Sequence, residues 1–150
     1  IGQSLGAKAQ ALGMKVLAYD IFKAEGLENE NMKYVEMDEL LANSDFISVH
    51  TPSIDGKPLI NADTIAKMKD GAIVINTSRG NNVDEEALLA ALESGKLRGA
   101  GLDVFAEEPA KNHALYSHPH VSCTPHIGAQ TAEAQKRVGA EIVDIIKNFA

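Results

Sequence analysis

Six short apolar runs, separated by longer stretches with helical spacing, constrain this chain more than any other feature. The runs are Lys15–Tyr19, Lys33–Val35, Phe46–Val49, Ala72–Asn76, Ala100–Val104 and Val121–Cys123. Most are near-continuously apolar instead of alternating. A strand covered on both faces requires that pattern, and strands of parallel sheets are covered in this way. Helical stretches lie between them: Gln3–Leu12, closed by Gly13; a short Glu39–Ala42; Ala62–Met68, behind Asn61 as N-cap and before the Asp70-Gly71 turn. Asp84 caps a further helix, which carries Ala87, Leu88, Ala91 and Leu92 on one face and ends at Gly95. A last helix follows Thr131. Its Ala134, Val138, Ile142, Ile145 and Phe149 recur at four, four, three and four residues and form one apolar stripe, expected to be core or interface. This alternation predicts an α/β fold, a doubly wound parallel sheet with right-handed crossovers.

At 150 residues, with no repeat and no low-complexity linker, the chain reads as one domain. It is long enough to bury roughly 68–70% of its unfolded surface without disulfides or a structural metal. Lys and Arg number 14 against 21 Asp and Glu, a formal charge of −7, which argues against a nucleic-acid partner. No stretch reaches the ~18 apolar residues of a membrane span. Cys123, the only cysteine, cannot form an internal disulfide. It is expected to be a small core residue in a reducing, cytoplasmic setting. His113, His118 and His120 share a loop with Pro119, but no Cys or Asp pattern completes a metal site, so they read as surface histidines and no metal is expected.

The beginning carries a partial signature. In dinucleotide-binding βαβ units a G-x-G-x-x-G turn joins the first strand to the first helix, and an acidic residue ends the second strand. Gly2 suits the third glycine, and Asp20 suits the acidic ribose ligand. On this reading the first strand and two glycines are expected to lie before Ile1. The 150 residues alone would then be left with two half-sheets and an unstable monomer.

Three segments carry chemistry: Asn76-Thr77-Ser78-Arg79-Gly80, Gly101-Leu102-Asp103-Val104-Phe105-Ala106-Glu107-Glu108-Pro109 and Thr124-Pro125-His126-Ile127-Gly128. Each begins at the C-terminal end of a strand, the edge where open α/β sheets bind ligands, so Arg79, Glu108 and His126 can converge on one crevice. Glu107 reads as a surface carboxylate, Asp84 and Glu85 as helix-cap and first-turn charges, and His50 as packing at a strand end.

Together with Ile1-Gly2, Tyr19-Asp20 and Val49-His50-Thr51-Pro52, these segments resemble, in order and spacing, the NAD-binding domain of the D-isomer-specific 2-hydroxyacid dehydrogenases. Gly99-Ala100-Gly101-Leu102-Asp103-Val104-Phe105 and Pro125-His126-Ile127-Gly128-Ala129 look most like the 3-phosphoglycerate dehydrogenases among them. The resemblance implies a Rossmann-like sheet and the cofactor NAD. It implies His126 as general acid/base, Glu108 as its carboxylate partner and Arg79 as the holder of the substrate carboxylate. For the cofactor it implies Ile1 and Gly2 at the pyrophosphate, Asp20 at the adenosine ribose, and Thr51 and Pro52 at the adenine side. Thr77 and Ser78 would meet the nicotinamide ribose, Asp103 the carboxamide, and Gly128 and Ala129 the ring. Arg79 and His126 would border the cofactor as well as the substrate.

The implied reaction is hydride transfer between NAD and a D-2-hydroxy acid, foremost 3-phospho-D-glycerate, the entry to serine biosynthesis. Glycerate/hydroxypyruvate, glyoxylate and lactate enzymes are the alternatives within the class, and a non-catalytic NAD-sensing scaffold or corepressor-like relative is the alternative outside it. A homodimer and a separate substrate domain, outside these residues, are implied as well. Two places depart from the family pattern: the Ser53–Pro58 loop, and Asn81-Asn82 where a small or apolar pair is expected.

Overall fold

The apolar runs become parallel strands in the computed structural model, which describes residues 1–53 and 56–149. β1 (Val16–Ala18) pairs with β2 (Met32–Tyr34). β3 (Phe46–Val49), β4 (Ala72–Asn76), β5 (Leu97–Leu102) and β6 (Val121–Cys123) form a four-stranded sheet in that spatial order. Every pairing is parallel: Ile47 lies opposite Val74, Val74 opposite Ala100, and Gly101 opposite Ser122. β1 and β3 do not pair, so the described residues hold two sheets. α1 (Gly2–Ala11) touches both. A side chain at Gly6 would lie 3.7 Å from Val16, and one at Gly2 would lie 3.7 Å from His50, just past β3.

The helices form where the apolar stripes and caps place them. In α3 (Ala62–Ala66), Asn61 and Thr64 make a reciprocal capping box. In α4 (Glu85–Glu93), Asp84 accepts the Glu86 and Ala87 amides at 3.1 and 3.0 Å. Leu88, Ala91 and Leu92 of that helix enter a core with Leu41 of α2 (Met37–Asn43), Ile47, Val74, Leu97 and Leu102. Because all four strands of the larger sheet run the same way, the loops after β3, β4, β5 and β6 emerge at one edge.

Several expectations are corrected. β5 starts at Leu97, not Ala100, because Leu97 pairs with Ala72 across a register shift, and it stops at Leu102. β2 sits one residue earlier than expected, since Met32 pairs with Val16, and β1 keeps only Val16–Ala18 of its run. The loop with His113 contains a short helix, α5 (His113–Tyr116), started by the Asn112 side chain on the Leu115 amide. Cys123 is exposed, not core, because β6 is an edge strand. In α6 (Ala132–Asn148), capped by Thr131, no residue is buried, so its apolar stripe is not core of these residues; Ile142 and Ile145 are 52% and 53% exposed. Of the unusual Ser53–Pro58 loop, Ile54 and Asp55 lie outside the described residues. Among the described residues no helix is long and apolar enough to cross a membrane, and no cluster of metal-ligating side chains occurs.

Candidate active site

The loop after β6 holds His126 in an unusual backbone conformation. Its φ is +54°, the left-handed region that costs a non-glycine residue about 1–3 kcal/mol. Asp103, at the end of β5 and 6% exposed, offsets this cost. Its Oδ1 accepts the Thr124 hydroxyl at 2.5 Å and the Ile127 amide at 3.0 Å, and its Oδ2 accepts the Gly128 amide at 3.2 Å. One carboxylate thus fastens both sides of His126. Burial alone would raise the Asp103 pKa, but the Thr124 hydroxyl and the two amides outweigh it and hold the carboxyl below its ordinary value.

The imidazole of His126 meets the carboxylate of Glu108, with Nδ1 to Oε2 at 2.6 Å. Both side chains are roughly half exposed. The bond from His126, followed by the Phe105 amide on Oε1 at 3.2 Å, lowers the Glu108 pKa. An ionised carboxylate only accepts hydrogen bonds, so Nδ1 must donate. That leaves Nε2 as the ring atom free to give or take a proton from a ligand.

The turn after β4 is built by Asn76, a residue that is 1% exposed. Its Oδ1 accepts the Ser78 amide and hydroxyl at 3.1 and 2.8 Å, and its Nδ2 donates to the Arg79 carbonyl at 2.8 Å. This Asx-type turn lifts Arg79 out of the strand. Its guanidinium is exposed, donates to the Ser78 carbonyl at 2.7 Å, and makes no ion pair among the described residues. Gly80 opens a 3-10 turn, Gly80–Asn82, directly beneath the main chain of Phe105. The loops of Arg79 and Glu108 are therefore in contact.

Asn82 links the next pair of loops. It is fully buried, and its Nδ2 lies 3.0–3.2 Å from the Thr51 carbonyl and hydroxyl, the Pro52 carbonyl and the Ser78 hydroxyl. Asn81 donates to the Ser53 hydroxyl at 2.5 Å. The departure at these two positions is thus a tie between the loops after β3 and β4. Ser78, expected at the nicotinamide ribose, has its hydroxyl engaged internally by Asn76 and Asn82, whereas Thr77 is exposed. Gly128 and Ala129 are exposed beside His126.

The remaining expected cofactor residues lie at α1 and β1. Ile1 precedes α1, whose first amides have no side-chain cap, and Gly2 leaves open the approach beside His50. Uncapped helix N–H groups suit an anion such as pyrophosphate. Asp20 is exposed past β1, with Oδ1 accepting the Phe22 amide at 3.0 Å. A free carboxylate in that place suits ribose hydroxyls and repels a 2′-phosphate, so the residues present fit NAD. His50 packs at the strand end as expected. Its Nε2 meets the Ser48 hydroxyl at 2.9 Å, its Nδ1 is buried without a partner among the described residues, and burial lowers its pKa.

Four residues not expected at the site prove to support it: Asn76, Asn82, Thr124 and Glu85, the last read from the sequence only as a first-turn charge. Asn76 had a readable signal, because Asn two residues before Ser at a strand end favours an Asx turn. The contacts of Asn82, Glu85 and Thr124 run across 21 to 31 residues of sequence and leave no local pattern.

Comparison with known proteins places this geometry. The family model described as "D-isomer specific 2-hydroxyacid dehydrogenase, NAD binding domain" matches residues 1–128. A hydroxypyruvate reductase of Thermotoga maritima is 49% identical over 150 residues, covering 97% of this chain and 48% of the relative. A D-3-phosphoglycerate dehydrogenase of Rattus norvegicus is 44% identical over 153 residues, covering 98% of this chain and 29% of the relative. The crystal structure of a D-lactate dehydrogenase from Aquifex aeolicus, complexed with NAD and lactic acid, superposes with a TM-score of 0.89 at 37% identity, covering 99% of this chain and 50% of that one. The chain thus spans about half the length, or less, of the relatives it matches.

Proposed function

Because the chain belongs to the NAD-binding-domain family of the D-isomer-specific 2-hydroxyacid dehydrogenases, we propose that the protein interconverts a D-2-hydroxy acid and the corresponding 2-oxo acid. The observation that carries this reading is the His126–Glu108 pair, held at 2.6 Å on one sheet edge with Arg79. NAD, when bound, supplies the hydride acceptor or donor. In oxidation, His126 Nε2 takes the proton of the substrate hydroxyl as the C–H bond gives up its hydride and the carbonyl forms; in reduction it returns that proton. Glu108 holds Nδ1–H and fixes the tautomer and the orientation of the ring. Arg79 offers a planar fork to the substrate carboxylate, a geometry that a lysine cannot copy. Asp103 sets the direction in which His126 points. Ile1, Gly2, Asp20, Thr51, Pro52 and Thr77 line the cofactor side, and the Asp20 carboxylate favours NAD over NADP.

The substrate is proposed as a three-carbon acid of the glycerate type. The sequence motifs favour 3-phospho-D-glycerate, while the relatives at 49% and 48% identity carry the name hydroxypyruvate reductase. The test is NADH oxidation by the purified whole protein with hydroxypyruvate and with its 3-phosphorylated form. A kcat/KM at least tenfold higher for either one identifies the acid. Failure to turn over these or any other 2-oxo acid would leave the scaffold reading in its place.

A further inference from the structure

Glu85 reads from the sequence as a first-turn charge of α4, yet it does more than face the helix dipole. It is half-buried, and its Oε1 accepts the amide of Ala106 at 2.7 Å, across 21 residues of sequence. The neighbouring amide, that of Phe105, donates to Oε1 of Glu108, whose Oε2 holds His126. Two successive amides of one turn are thus fastened by two carboxylates, one from α4 and one from the catalytic pair.

That turn has little else to hold it. From Val104 to Ala110 it has no regular structure and, among the described residues, no main-chain to main-chain hydrogen bond. Residues Ala106 to Pro109 are exposed. The ion pair of Glu107 with Lys111 is internal to the segment. The fixed points are the buried Val104, the packing of Phe105 against the core, the close approach of Gly80 to the Phe105 carbonyl and, from Ala106 onward, the Glu85 carboxylate. α4 is a firm anchor, because Leu88, one turn beyond Glu85, is fully buried.

We propose that Glu85 is a positioning residue for the reaction: through the Ala106 amide it holds the Phe105–Glu108 turn so that the Glu108 carboxylate stays on His126 Nδ1. The proposal rests on the reading of Glu108 and His126 as the acid/base pair. Without Glu85 the turn moves, Glu108 no longer faces the ring steadily, and His126 loses the partner that holds its Nδ1–H. Asp103 is the other charged group acting on the pair, and Glu107 is engaged by Lys111.

The test compares Glu85→Ala, Glu85→Asp and Glu85→Gln in the whole protein, with kcat, KM and NAD binding as readouts. Misplacement of an aligned group by about 1 Å costs on the order of 10² in rate. Glu85→Ala is therefore expected to lose about 10–100-fold in kcat while KM and the affinity for NAD stay within about threefold of wild type. Glu85→Asp, one methylene too short to reach Ala106, lowers kcat in the same way and covers the case in which the alanine variant does not fold. Glu85→Gln keeps an acceptor of the same reach and restores kcat to within about threefold. Glu86→Gln, which removes a neighbouring exposed charge, matches wild type. An unmoved kcat in Glu85→Asp, or a Glu85→Gln variant as poor as Glu85→Ala, overturns the proposal. His126→Asn in the same assay separates the two readings. If it retains turnover, the acid/base pair itself is wrong; if it loses turnover while the Glu85 variants keep theirs, only the role of Glu85 falls.

Discussion

Gly80→Ala tests how tightly the loops of Arg79 and Glu108, the proposed reacting groups, are fitted. An ideal Cβ at Gly80 lies 1.8 Å from the Phe105 carbonyl oxygen, 2.0 Å from its carbon and 2.6 Å from the Ala106 nitrogen. All three are main-chain atoms, so no rotamer change relieves the clash. Carbon and oxygen come no closer than about 3.3 Å even in favourable contacts, so the peptide has to retreat by about 1.5 Å. Carried three residues along to Glu108, a shift of that size stretches the 2.6 Å bond to His126 beyond hydrogen-bonding range. If Gly80 yields instead, the displacement falls on Arg79, its neighbour. Either route misplaces a catalytic group by more than 1 Å, for which a loss of at least about 10² in kcat/KM is expected. Overpacking also costs about 1–3 kcal/mol, or roughly 3–10 °C in Tm for a chain of this size. Steady-state kinetics at saturating NAD and thermal unfolding followed by circular dichroism read both effects. A variant within threefold of wild-type kcat/KM, with an unchanged Tm, would refute the fit described here.

Two further outcomes follow from the buried polar ties. Asp103→Asn keeps the volume of the side chain but loses the charge and sets an N–H against one of the donors it now holds. It should cost about 2–3 kcal/mol at neutral pH in urea unfolding. Because the Asp103 pKa is lowered on folding, its contribution is present above the ordinary carboxylate range, near pH 4, and is lost as pH falls through the folded value. The gap between Asp103→Asn and wild type should therefore close in acid, and a gap that is absent at pH 7 contradicts the role given to this carboxylate. Asn82→Ala removes the donor shared by Thr51, Pro52 and Ser78. It is expected to weaken NAD binding by about tenfold, ~1.4 kcal/mol, with kcat at saturating NAD retained. A fluorescence titration that gives the wild-type Kd would show that the tie between these loops does not shape the cofactor side.

The sheet was readable because its signal is local. Phe46–Val49 and Ala72–Asn76 form strands with the expected bounds, since a strand between two covered faces is largely apolar; Val121–Cys123 keeps its bounds as well, though as an edge strand with Ser122 and Cys123 exposed. The caps at Asn61 and Asp84 were readable for the same reason, as a side chain satisfies amides two or three residues away. β5 was misjudged because Leu97-Arg98-Gly99 carries a charge and a glycine, and only pairing with β4 makes it strand. Cys123 was misjudged, and of the two alternatives for the α6 stripe the core one falls, because an apolar residue does not state which surface covers it. At the site, the motifs pointed to His126, Glu108 and Arg79 as the proposed reacting set, and the loops that carry them do share one sheet edge. Asn82, Glu85 and the clamp of Asp103 were not legible, because each acts through a contact that exists only once separate loops have met.

The central claim is that His126 exchanges the substrate proton through Nε2. His126→Asn is its most direct test, because asparagine tolerates the left-handed backbone found at this position but cannot titrate near neutral pH. In the whole protein, with NAD saturating, kcat is predicted to fall by about 10²–10⁴ with the Kd for NAD unchanged. Turnover within tenfold of wild type would contradict the claim.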